Sequence, residues 1–137
     1  MSIHGGCLCK AVRYTSTADP KITRICWCRD CQYLASGNGT VNVFFPAETF
    51  TVTGTPQTYT SVADSGNVMR RRFCPICGTP LFTAADIRPS IIGVRAGSLD
   101  DPNIVQPTLA IWTSSAPRWG CIADSMPRVT HQPPPMA

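Results

Sequence analysis

Residues 72–79 read Arg72-Phe73-Cys74-Pro75-Ile76-Cys77-Gly78-Thr79, a Cys-x-x-Cys-Gly turn at the end of a β-patterned stretch. Such a pair brings two thiolates to one point, as zinc requires. Gly78 supplies the backbone freedom for a tight reversal there. A second close pair, Cys7-Leu8-Cys9, lies far upstream. Together the pairs supply the thiolates of one tetrahedral structural site. Closing the long loop between them costs chain entropy, which metal coordination offsets because site formation is coupled to folding. The alternative is a set of buried free cysteines. Shared metal would tie distant segments into one unit, which argues for one domain.

The densest cluster is Cys26-Trp27-Cys28-Arg29-Asp30-Cys31. Three local thiols with no evident fourth leave a coordination position free, the mark of catalytic zinc. Alternatively a distant ligand closes the site, the candidates being Cys121, His4, His131 and Asp30. Cys121 stands alone, and a lone cysteine is more often a small buried apolar residue. His4 and His131 lie near the ends and are expected at the surface.

Around the cysteines the chain reads as short strands. Val12 and Tyr14 alternate with Ala11, Arg13 and Thr15, and Val41, Val43 and Phe45 with Asn42 and Phe44. Segments 49–53 and 57–61 flank Gly54-Thr55-Pro56, which predicts a hairpin turn. Further strands are expected at 68–73, 80–84, 91–96 and 108–113. Helical signal is confined to 28–36, which Gly37 would stop. The reading is mostly β: one zinc-binding domain over 1–132 and a flexible proline-rich tail over 133–137.

The chain has 137 residues, suited to one core. Charged residues make up only 15%, which excludes a disordered chain. No apolar run of about eighteen residues exists, so no membrane span is expected. The opening lacks a charged segment followed by an apolar one, so no secretory signal is read and a cytoplasmic location is expected. In that setting eight cysteines favour metal over disulfides. The net charge of +4 is modest. Without aromatic–basic interleaving it makes nucleic acid an unlikely partner.

Taken in order, these motifs resemble the glutathione-dependent formaldehyde-activating enzymes and their centromere-protein-V relatives. The resemblance rests on Gly5-Gly6-Cys7-Leu8-Cys9 with Ala11-Val12-Arg13-Tyr14, on Cys26 to Cys31, and on Arg72 to Thr79. It continues through Gly97-Ser98-Leu99-Asp100-Asp101-Pro102, Ile111-Trp112 and Ala116-Pro117-Arg118-Trp119. It implies a β-tent of antiparallel sheets organised around zinc. It implies a structural Zn²⁺ on Cys7, Cys9, Cys74 and Cys77 and a catalytic Zn²⁺ on Cys26, Cys28 and Cys31. Trp27 stands where the family usually has a small or polar residue or His, Lys10 where it usually has glycine, and Ala110 where a His commonly precedes the Ile-Trp pair.

The implied chemistry is addition of glutathione's thiol to formaldehyde, or the reverse carbon–sulfur lyase reaction. Arg70, Arg71 and Arg72 are candidates to pair with glutathione's carboxylates; alternatively they decorate a strand's solvent face. Partners are then a small thiol and an aldehyde, with a monomer or homodimer both open. The competing reading is a non-catalytic zinc-bound β module that uses the arginine run and exposed aromatics, Trp27 and Trp119, for protein or nucleic-acid contacts.

Overall fold

The computed structural model describes residues 2–135. The strands are β1 (Ile3–Gly6), β2 (Arg13–Ser16), β3 (Ile22–Cys26), β4 (Thr40–Pro46), β5 (Phe50–Thr53), β6 (Gln57–Val62), β7 (Val68–Phe73), β8 (Pro80–Ala85), β9 (Ile91–Arg95) and β10 (Leu109–Ile111). One α-helix, α1 (Arg29–Leu34), follows β3. The smaller sheet has the order β1-β2-β5 and the larger β10-β3-β4-β9-β8-β7-β6. Pairing is antiparallel except between β10 and β3, which run parallel. No helix among the described residues is long and apolar enough to cross a membrane.

The alternation within β4 decides how the sheets meet. Val43 and Phe45 are fully buried and face a core shared with Val12 and Tyr14 of the smaller sheet side and Val94 of β9. Tyr14 stacks on Phe50, with ring centroids 5.1 Å apart, and meets Phe82 edge-on at 5.3 Å. Its hydroxyl shares a 2.8 Å hydrogen bond with Ser98, so the buried oxygen is satisfied. The other face of the larger sheet carries the intervening residues, Asn42 and Phe44 among them, and lines a cleft.

The expected hairpin at Gly54-Thr55-Pro56 does not form. β5 pairs with β2 and β6 with β7, so this segment crosses from one sheet to the other. Burial supplies the reason. Phe50 and Val52 of β5 pack on the core, whereas β6 is exposed along most of its length. Gly54 has φ +92°, and a Cβ there would collide with the carbonyl of Ala11. Strands β1 and β3 were not expected. The glycines of β1 weaken its pattern, and Arg24 of β3 points a charged residue to a buried face. Of the tail assigned to 133–137, residues 133–135 carry no regular structure, and 136–137 lie outside the described residues.

Candidate active site

Cys7 and Cys9 sit in the loop after β1, and Cys74 and Cys77 between β7 and β8. A register shift between Arg72 and Phe73 bends β7 into this turn. The four Sγ atoms lie within 4.8 Å of one another. Sulfurs held tetrahedrally by zinc at about 2.3 Å are roughly 3.8 Å apart. The Cys7–Cys9 separation is 3.6 Å and the Cys9–Cys74 separation 3.7 Å, so the donor set fits that ion. Backbone N–H groups point at the sulfurs, Val12 toward Cys7 at 3.2 Å and Ile76 toward Cys74 at 3.4 Å. The Thr79 hydroxyl, then the N–H groups of Cys9 and Thr79, bring the Cys77 thiol down to about 5. Gly78, at φ +77°, donates to the Cys74 carbonyl and closes the turn.

The three sulfurs of Cys26, Cys28 and Cys31 also lie within 4.8 Å of one another. Cys26 ends β3, and Cys28 is the N-cap of α1, its Sγ accepting from the Cys31 N–H at 3.4 Å. Buried Gln32 fastens the turn by donating to the carbonyls of Trp27 and Ser115 at 2.8 and 2.9 Å. No fourth Cys, His, Asp or Glu among the described residues joins the cluster. Cys121, expected to be buried, is exposed. His4 and His131 are exposed as expected. Trp27, expected as an exposed aromatic, is only 1% exposed and packs beside Gly120, while Trp119 is 71% exposed.

Contacts from Cys26 and then Cys28 hold the Cys31 thiol far below its ordinary value, helped by the Thr40 hydroxyl and the charge of Arg95. Contacts with Cys28 and Cys31 push Cys26 far up. Three neighbouring thiols resist losing three protons because like charges crowd. A divalent cation removes that obstacle, so this donor set also fits Zn²⁺.

These thiols form one wall of a cleft that opens to solvent. Four guanidinium groups line it, those of Arg24, Arg71, Arg88 and Arg95. Strand register places Arg24, Asn42 and Arg95 side by side on β3, β4 and β9. Arg95 donates to Asn42 Oδ1, and Asn42 Nδ2 donates to Thr40 Oγ1 at 3.0 Å. Arg71 donates to Ser61 at 2.7 Å and lies 3.6 Å from Asp30. Burial lowers the pKa of Arg24, with Arg88 adding to it, and burial also lowers that of Arg95. Gly93 keeps the floor low, since a Cβ there would press on Thr83 and Phe44.

The arginine run splits by the two-residue period of β7. Arg71 is buried and lines the cleft. Arg70 points the other way to Asp86, and Arg72 lies over the Phe82 ring at 4.8 Å. Arg24, Arg88 and Arg95 were not singled out by the sequence. The signal that could have found the first is its place two residues before Cys26, on the same strand face.

Residues 2–115 match the family model described as glutathione-dependent formaldehyde-activating enzyme. The chain belongs to this family. The solved structure of a Rhodobacter sphaeroides protein is similar in fold, with a TM-score of 0.57 at 19% identity, covering 76% of this chain and 91% of that one. No curated protein matches the chain at a significant level.

Within this member of the glutathione-dependent formaldehyde-activating family, the departures at Ala110 and Lys10 sit differently. Ala110 is fully buried on β10, while the following Ile111 and Trp112 line the cleft. Lys10 adopts φ +69° directly after Cys9 and donates its N–H to the Cys7 carbonyl at 3.0 Å. A left-handed conformation costs an L-residue about 1–2 kcal/mol, partly offset by the larger unfolded-state entropy of glycine. Lys10→Gly is therefore expected to stabilise the fold by about 0.5–1 kcal/mol, read as a higher urea midpoint at unchanged slope. A lower midpoint would show that the Lys10 side chain contributes more than its backbone costs.

Proposed function

We propose that this protein catalyses the reversible addition of a thiol to an aldehyde, forming or cleaving S-hydroxymethylglutathione from glutathione and formaldehyde. The observation that carries the reading is a three-thiol cluster forming a wall of an open cleft lined by guanidinium groups. Family membership supports glutathione and formaldehyde as the reacting pair. A cleft that sets three thiols beside guanidinium groups favours catalysis over the alternative of a passive zinc-bound binding module.

In this reading Cys7, Cys9, Cys74 and Cys77 hold a structural Zn²⁺, and Cys26, Cys28 and Cys31 hold a second. Bound to the triplet, Zn²⁺ supplies positive charge that lowers the pKa of an incoming thiol from its free value near about 8.5. Three thiolate ligands would leave the loaded triplet net negative, which would suit it to stabilising a substrate thiolate more than to polarising a carbonyl. The substrate S–H bond breaks and a sulfur–carbon bond forms at the carbonyl carbon. The carbonyl π pair moves to oxygen, which takes up a proton, and no electrons leave the two substrates. The reverse is a carbon–sulfur lyase step. Of the arginine run Arg71 lines the cleft, where Ser61 and Asp30 engage it, while Asp86 engages Arg70 and Phe82 engages Arg72; in this reading Arg71 adds positive charge to the cleft. A thiol co-substrate and eight free cysteines suit a reducing compartment, the cytoplasm.

The test is exchange NMR on mixtures of glutathione and formaldehyde. Zinc-loaded protein is expected to raise the rate of hydroxymethyl exchange in proportion to its concentration. An exchange rate that stays at the buffer value with both cysteine clusters loaded would sink the reading.

A further inference from the structure

Buried arginines are rare unless paired, because a desolvated charge costs free energy that only a partner returns. Arg24 is 7% exposed and Arg95 8%. Neither is ion-paired to a carboxylate among the described residues, and neither is Arg88. The Nε atoms of Arg24 and Arg95 are buried without a hydrogen-bond partner. Asn42 engages one nitrogen of Arg95 and so orients that guanidinium. Arg71 differs, being engaged by Ser61 and Asp30. All four face the same cleft as the thiol triplet.

Charge on the cleft wall is one-sided. Four guanidinium groups face the Asp64 carboxylate at the rim, and the Asp30 carboxylate beside Arg71 offsets one of them. A triplet loaded with Zn²⁺ adds one negative charge, which leaves the cleft positive overall. Arg24 lies two residues before Cys26 on β3, about 7 Å along the strand, and Arg95 lies two strand spacings to the side, roughly 10 Å away. An anion held by this row therefore sits one pleat from the sulfur site.

We infer that Arg24, Arg88 and Arg95 form an anion subsite that takes a carboxylate of the thiol substrate and so restricts the cleft to carboxylate-bearing thiols. This rests on the thiol–aldehyde reading of the same cleft. A carboxylate there gives the guanidinium groups the charge-assisted hydrogen bonds they lack within the chain. A neutral thiol leaves those groups unpaired, so the site discriminates against the wrong substrate as well as favouring the right one.

The experiment compares two probes on zinc-loaded protein by titration calorimetry: S-methylglutathione, whose sulfur carries no ionisable proton, and its diester, whose carboxylates are blocked. S-methylglutathione is expected to bind, and the diester at least about tenfold more weakly, as loss of a hydrogen bond to a charged group implies. In Arg24→Gln and Arg95→Gln, checked for zinc content and melting, that discrimination shrinks. Absence of S-methylglutathione binding, or equal binding of acid and diester to the wild type, overturns the subsite whether or not the variants fold. Exchange NMR with 2-mercaptoethanol separates the two proposals. Equal acceleration of glutathione and 2-mercaptoethanol adducts leaves the reaction standing and removes the subsite. Acid-selective binding without any acceleration keeps the anion subsite and removes the thiol–aldehyde reading.

Discussion

Cys28→Ser abolishes turnover and leaves the fold standing. The contrast follows from the two roles of this side chain. Its Sγ belongs to the three-thiol cluster, and it also caps α1 by accepting from the Cys31 N–H. Serine is a preferred N-cap, so the substitution preserves the helix start. It replaces a soft thiolate with a hydroxyl that remains protonated and ligates zinc weakly. Metal contributes several kcal/mol to such reactions, so the rate of hydroxymethyl exchange above background falls by about a thousandfold or more. Zinc content drops by one ion per chain while the melting temperature stays within a few degrees, about 1 kcal/mol. Full activity in this variant would show that the triplet is not the site.

Cys74→Ser has the opposite outcome: it unfolds the domain. Cys74 is fully buried and joins the core cluster that both sheets share. Its sulfur lies 3.7 Å from Cys9, across the junction between the smaller sheet's first loop and the β7–β8 turn. The substitution removes a ligand and leaves a polar hydroxyl in an apolar setting. Structural zinc contributes folding free energy directly, about 10 kcal/mol or more in small zinc modules, so the loss is comparable to the whole stability of about 5–15 kcal/mol of a typical domain. Circular dichroism at room temperature reads it as collapse of the β signal, and a strong chelator reproduces it on the wild type. A variant that melts near the wild-type temperature would show that the four-thiol cluster is not what joins the sheets.

The thiol clusters were legible because thiol spacing is a local property. Cys26, Cys28 and Cys31 must meet once α1 begins at Arg29, whatever the rest of the chain does. Most strands were legible from alternation, as on β4, where Val43 and Phe45 face the core. Pairing was not. The segment Gly54-Thr55-Pro56 has the composition of a hairpin, yet it joins different sheets, because partner choice depends on what Phe50 and Val52 pack against. The basic cleft was hidden for the same reason. Arg24, Arg88 and Arg95 are scattered in sequence and converge only through the register of β3, β4 and β9 and the β8–β9 turn. The visible arginine run, by contrast, sends one of its three members to the cleft.

The parallel pairing of β10 with β3 joins two segments that are synthesised far apart in time. Cys9 is made 65 residues before Cys74, which at about 5–20 residues per second is roughly 3–13 s of waiting for its partner. Cys26 waits longer for its cover, because β10 closes over β3 and Ala110 itself bridges to Arg128. Every thiol of the triplet thus stays open to oxidants and stray metal until nearly the whole chain has been translated.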